Sequence, residues 1–190
     1  MKRIGFFGGS FNPPTIAHLE IVNLALKEIK LDKIVIVPMG DKYEKKDLIS
    51  FDHRFKMLSL LFDKNDRVEV SDIQKNQKKR TYAIDTFKII DEQYPNDQRF
   101  FIMGLDNFSR INDWKDSKKL LENYNFIVFK RNNIEISRFN KNIKFLDVNQ
   151  NISSSLARKK IINTETLENI VSPKVEEYIH KNELYKKGEV

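Results

Sequence analysis

The chain has 190 residues, a length that fits one domain or one domain with a small appendage. An apolar share of 40% supports a real core, and no apolar run reaches the ~18 residues of a membrane span. There is no cysteine and only three histidines, which excludes disulfides, thiolate nucleophiles and iron–sulfur or cysteine–zinc sites and disfavours a His-rich metal centre, while the net charge of +7 favours anionic partners.

The opening Met1 to Phe7 stops at Gly8-Gly9, too soon for a signal peptide, and a cytoplasmic location is expected. Lys2 to Phe7 reads as a buried strand, followed by the turn-rich Gly8-Gly9-Ser10-Phe11-Asn12-Pro13-Pro14. Leu19, Val22, Leu26 and Ile29 then recur every three or four residues, so Thr15 to Lys30 is an amphipathic helix. Lys33 to Pro38 is a second strand. A strand–helix–strand unit of that length fits a right-handed parallel crossover. The lysine-rich segment from Met39 to Ser50 reads as a mobile loop, and Phe51 to Phe62 as a helix. Arg67 to Ser71 is a short strand, Gln74 to Arg80 a basic loop, and Thr81 to Gln93 a helix closed by Tyr94-Pro95. Arg99 to Gly104 is a strong strand. A short helix at Lys118 to Tyr124 and strands at Asn125 to Lys130 and, more weakly, Ile143 to Val148 follow. Helices at Ser153 to Ile162 and Pro173 to Lys181 complete the chain. The alternation predicts one open α/β domain over residues 1–190, Rossmann-like, with a mainly parallel sheet and a C-terminal helical part at 151–190.

The glycine loop lies where α/β sheets bind ligands, after a strand and before a helix. Gly8 and Gly9 let the backbone approach a phosphate, and the helix N-terminus adds free N–H groups and partial positive charge. The ordinary alternative is a plain strand-to-helix turn. The loop is neither a Walker loop nor G-x-G-x-x-G, and Asn12 stands where the hydrolase elbow G-x-S-x-G would need its last glycine. His18 follows Thr15 by three residues, so both share one face of the first helical turn, where a histidine can stabilise charge on a phosphate. The competing reading is a histidine packed against the sheet.

The run Gly9-Ser10-Phe11-Asn12-Pro13-Pro14-Thr15-Ile16-Ala17-His18 resembles the signature G-x-F-[D/N]-P-x-[H/T]-x-x-H of the nucleotidyltransferases related to class I aminoacyl-tRNA synthetases. The resemblance implies a five-strand parallel sheet with helices on both faces. It also implies that Gly9, Ser10 and Phe11 cradle ATP phosphates, with Thr15 and His18 adding side-chain contacts; Gly8, just before them, is expected at the same ATP site. Thr15 stands for the first histidine of the commonest bacterial form and Ala17 for a glycine. Downstream, Ser153, Ser154 and Ser155 open a helix as caps, and Arg158 lies on the same face. This stretch resembles the family's second signature, I-S-S-[S/T]-x-x-R, which implies triphosphate binding. Two signatures in order are far more specific than either alone.

Phe100 to Asp106 with Trp114, the run Tyr82-Ala83-Ile84-Asp85-Thr86, and the tail from Ser172 to Tyr185 are similar to nicotinate mononucleotide adenylyltransferases. That resemblance implies nucleotide contacts at Gly104 and Asp106, pyridine stacking on Trp114, and carboxylate binding near Tyr82, Ala83, Asp85 and Thr86. Ala83 departs from a common threonine, which leaves nicotinate or nicotinamide mononucleotide open. Lys42, Lys45 or Lys46 replaces a loop lysine of the family, and Arg54 matches a basic position whose role is either phosphate contact or loop support. The reaction implied joins ATP to the mononucleotide in NAD biosynthesis. Catalysis falls to His18, Thr15 and Arg158, with Mg²⁺ bound mainly through ATP phosphates and no protein metal cage. No nucleic acid or membrane is expected as partner, and a homo-oligomer is left open. The rivals are phosphopantetheine as acceptor, a serine hydrolase at Ser10, and a basic nucleic-acid-binding module suggested by the charge and the lysines at Lys42 to Lys46 and Lys78 to Arg80.

Overall fold

The computed structural model describes residues 1–42, 47–77, 82–131, 142–148 and 151–186. Lys45, Lys46, Thr81 and the basic cluster Lys78 to Arg80 lie outside the described residues. Among the described residues six strands form one sheet: β1 (Arg3–Gly9), β2 (Lys33–Pro38), β3 (Val68–Val70), β4 (Gln98–Gly104), β5 (Asn125–Arg131) and β6 (Ile143–Val148). Their order is β3-β2-β1-β4-β5-β6, and every pairing is parallel. The resemblance implied five strands; the sixth is β6, whose register Phe126↔Ile143 through Arg131↔Val148 makes it a full neighbour of β5.

The central strands are buried on both faces, which is why they read as unbroken apolar runs. Their side chains alternate between two cores. Phe7, Ile34, Ile36, Phe100, Ile102 and Ile127 join one, which is covered by α1 (Ile16–Glu28), α2 (Phe51–Leu61), α6 (Ser154–Ile162) and α7 (Pro173–Lys181). Phe6, Val35, Val37, Phe101, Met103 and Val128 join the other, under α3 (Ala83–Gln93) and α5 (Ser117–Asn123). A four-residue α4 (Leu105–Phe108) and a 3-10 turn at Ile111–Asp113, both unforeseen from the sequence, link β4 to α5. The expected helix from Thr81 begins at Ala83, where Tyr82 is the cap residue.

Strand order reverses between β1 and β4. The connection leaving β1 turns onto one face, and those after β3 and β4 pack on the other. This is the crevice at which open α/β sheets take ligands.

Candidate active site

The site begins with backbone geometry at the end of β1. A Cβ on Gly9 would lie 3.0 Å from the Phe11 ring, while one on Gly8 would meet nothing within 4 Å. Gly9 therefore makes room for Phe11 to fold back beneath the loop, and Gly8 leaves the crest of β1 open. Phe11 adopts φ 49, a left-handed backbone that helps turn successive amides to one side. Its ring is buried against Phe7 (5.3 Å) and His18 (5.1 Å between centroids).

Thr15 caps α1, and His18 is the third residue of that helix. The Thr15 backbone N–H donates to His18 Nδ1 at 2.9 Å. A ring nitrogen that accepts from an obligatory donor carries no proton, so His18 is held as the neutral tautomer with its proton on Nε2. The Thr15 hydroxyl also lies 2.9 Å from Nδ1. Thr15 is fully buried. Its placement corrects the expected direct phosphate contact: burial and the bond to Nδ1 make Thr15 the residue that orients His18.

The two signatures meet although 141 residues of sequence separate their contacts. The Ser154 hydroxyl donates to the Pro13 carbonyl at 2.8 Å, and Arg158 Nη1 donates to the Asn12 carbonyl at 2.8 Å. Ser153 caps α6 by accepting from the Leu156 N–H at 3.1 Å, and Ser155 is exposed on the first turn. The N-terminus of α6 and a guanidinium are thus set beside the loop that leads into α1, so two helix N-termini and Arg158 border one region. Partial positive charge and N–H donors at such a place suit a polyanion.

Arg54 resolves its two candidate roles through its contacts. It is fully buried, and its three nitrogens donate to the Ile49 carbonyl (2.9 Å), the Ser10 carbonyl (3.1 Å) and Asp41 Oδ1 (2.8 Å). Burial presses its pKa below the usual arginine value, and Asp41 opposes that effect. The expected place of Arg54 among the mononucleotide contacts is therefore corrected to loop support. Asn12, seen in the sequence only as one letter of a motif, is a hub. Its amide donates to the Asp47 carbonyl, and its Oδ1 accepts from the Ile49 N–H and the Tyr185 hydroxyl.

On the other face of the sheet lies a cavity of about 440 Å³. Gly8 and Gly9 border it together with Tyr82, Ala83, Thr86 and Trp114, so four of the residues expected around the mononucleotide are brought together, while Lys42, Arg54 and Asp85 are not among its lining. Met39, Gln74, Asn107 and Lys115 border it as well and were not foreseen. Lys115 Nζ lies 4.8 Å from the centre of the Tyr82 ring, within cation–π range. Within the wall, Gln74 accepts from the Gly40 N–H and donates to the Thr86 hydroxyl. Two further expectations are revised by contacts. The Thr86 hydroxyl is buried and bonded to Gln74, and Asp85 accepts from the Tyr82 N–H as part of the α3 cap. Gly104, whose Cβ would lie 3.2 Å from the Phe129 ring, is small for packing at the start of α4. Asp106 is exposed on that helix, and Lys42 is exposed beside Asp41; neither borders the cavity.

The cytidylyltransferase-like family model matches residues 6–160, which include both signatures. The chain is 39% identical over 188 residues to a probable nicotinate-nucleotide adenylyltransferase of Fusobacterium nucleatum, covering 94% of this chain and 97% of that protein. It is 30% identical over 188 residues to the nicotinate-nucleotide adenylyltransferase of Bacillus subtilis, covering 97% and 99%. The chain belongs to the nicotinate-nucleotide adenylyltransferase family. It superposes with a TM-score of 0.84 and 25% identity on the Plasmodium falciparum nicotinic acid mononucleotide adenylyltransferase complexed with NaAD, over 97% of this chain and 98% of that one. A second structure of the Plasmodium enzyme, complexed with APC, matches with a TM-score of 0.83. As a member of this adenylyltransferase family the chain is a nucleotidyltransferase; the cavity reaches Gly8 and Gly9, and the start of α6 bonds to Asn12 and Pro13 further along the same loop. Among the described residues no helix is long and apolar enough to cross a membrane, and no group of three or more His, Cys, Asp or Glu is placed to hold a metal ion.

Proposed function

We propose that the protein transfers the adenylyl group of ATP to nicotinate mononucleotide, giving nicotinate adenine dinucleotide and pyrophosphate. The observation that carries this reading is the pairing of two unlike compartments across Gly8 and Gly9. One is a cationic, N–H-rich region at the starts of α1 and α6; the other is a cavity bordered by Trp114 and Tyr82. Triphosphate chemistry suits the first and a planar aromatic ring the second.

The 5′-phosphate of the mononucleotide is already an anion, so the step needs no protein nucleophile. One of its oxygens bonds to the α-phosphorus, the bond from that phosphorus to the β-bridging oxygen breaks, and pyrophosphate leaves with the electron pair. The chain's contribution is positioning and charge neutralisation. His18 Nε2–H donates to an α-phosphate oxygen, an assignment favoured by the Nδ1 contact that fixes the tautomer. Arg158 and the first turn of α6 take the β and γ phosphates. Mg²⁺, bound mainly through the ATP phosphates, would neutralise phosphate charge.

The test is a pyrophosphate-release assay with ATP and Mg²⁺ and, side by side, nicotinate mononucleotide, nicotinamide mononucleotide and phosphopantetheine at equal concentration. The reading expects the nicotinate compound to have the highest kcat/KM. Faster turnover of either rival would overturn it.

A further inference from the structure

The last described stretch of the chain turns back under the nucleotide loop. After α7, Glu183 and Tyr185 both take left-handed backbone (φ 55 and 66), and the Leu184 N–H bonds to the Ile179 carbonyl at 3.1 Å. Leu184 and Tyr185 are buried in the core shared by α1, α2, α6 and α7. The Tyr185 hydroxyl lies 2.9 Å from Asn12 Oδ1. Direction follows from the hub itself. Asn12 Nδ2 faces the Asp47 carbonyl and Oδ1 faces the Ile49 N–H, so Oδ1 is the acceptor and the phenol is the donor.

This bond has an address. Asn12 sits between Phe11 and the cap of α1, and its carbonyl is gripped by Arg158. Ser10, two residues earlier, is gripped through its carbonyl by Arg54. Both arginines lie near enough to act on the phenol's charge, and burial raises its pKa so that it stays a proton donor. A tail that only covered apolar surface would be served by phenylalanine, because burying an unpaired hydroxyl costs stability. The hydroxyl instead reaches Asn12, the residue that ties the nucleotide loop to the 47–49 segment. Tyr185 does not border the cavity with Trp114 and Tyr82, which lies on the opposite face of the sheet.

We infer that Tyr185 is a positioning residue for ATP, holding the loop from Ser10 to Thr15 through Asn12 in the shape that receives the phosphates. It acts on ATP and leaves the mononucleotide compartment untouched. The inference rests on the reading that ATP phosphates bind at this loop and at α6.

Tyr185→Phe keeps the ring in the core and removes only the donor. Leu184→Ala serves as a control that weakens the same tail without touching Asn12. Mg·ATP binding is measured by titration calorimetry on the full-length wild type and both variants, alongside KM for each substrate. Tyr185→Phe is expected to weaken ATP binding and raise KM for ATP by about fivefold, the worth of one buried hydrogen bond, with KM for the mononucleotide unchanged. Leu184→Ala is expected to lower Tm while leaving both KM values alone. Unchanged ATP affinity in Tyr185→Phe overturns the inference, as does a rise in both KM values together or an equal ATP defect in Leu184→Ala. Wild-type protein that does not bind Mg·ATP at all would remove the underlying reading as well, so the two failures are distinguishable.

Discussion

A single hydrogen bond sets how the His18 ring is presented. Because Thr15 N–H occupies Nδ1, the imidazole is presented as a neutral Nε2–H donor. In the proposed reaction such a donor stabilises charge that grows on an α-phosphate oxygen without having to exchange a proton. His18→Ala should lower kcat by about a hundredfold, the usual scale for losing one pre-placed donor to a developing anion. Circular dichroism should stay native, since the ring is half-buried at a helix start, not in the core. Near-normal turnover would refute the assignment. Trp114 calls for a different readout. Its indole borders the cavity, so Trp114→Ala should raise KM for the mononucleotide about tenfold, the order expected from base–aromatic stacking, with KM for ATP little changed. An equal rise in both values would place the tryptophan in the scaffold instead. Both residues stood out in the sequence as candidates because each belongs to a local pattern. Asn12 and Tyr185 were not legible as partners, since their contact spans 173 positions and nothing local marks either end.

Among the elements, α2 and α6 are the two that brace the loop, and they do so differently. α6 braces from its N-terminus, where Ser154 and Arg158 bond to carbonyls of the loop leading into α1. α2 braces through Arg54, whose guanidinium is wholly inside the protein and answers three oxygens on three segments. Arg54→Met should cost about 2–4 kcal/mol in urea unfolding, because the Ser10 and Ile49 carbonyls lose their donor. Asp41, half exposed, regains water and limits the damage. If Arg54 served phosphate contact with the mononucleotide instead, stability would hold and KM for the mononucleotide would rise. The strands were readable as elements because a parallel strand buried on both sides is a continuous apolar run. α4 and the 3-10 turn were not, since four and three residues are too few to show a period. Nor can a sequence show whether an arginine faces solvent or two buried carbonyls and a carboxylate, which is why two roles stood open for Arg54.

The whole molecule is a sheet whose two faces carry separate cores; one buries Tyr185 and the other has the partly buried Tyr124 packed against it, and desolvation raises the pKa of both. Tyr124 sits over α3, where desolvation comes first and the bond to Asp91 second in pushing it up to about 12. Tyr185, on the opposite face, is raised well above the ordinary tyrosine value by burial, although Arg158 and Arg54 pull the other way. Tyr94 and Tyr178 are shifted upward as well, again chiefly by desolvation. The sign is the same for all four. A raised pKa means that the folded chain keeps a proton that the unfolded chain releases above pH about 10, so stability falls as pH rises past that value. The contribution is intact below pH about 10 and is lost as pH climbs toward the folded-state value, near 12 for Tyr124. Tm measured from pH 8 to 12 should therefore be flat at first and then drop from pH about 10 upward. Tyr124→Phe removes one titrating group and should make that drop shallower, even though it also gives up the bond to Asp91 at neutral pH. A drop equally steep in the variant would show that Tyr124 takes no part in the alkaline transition, and would leave that limb to Tyr185 and the remaining shifted tyrosines.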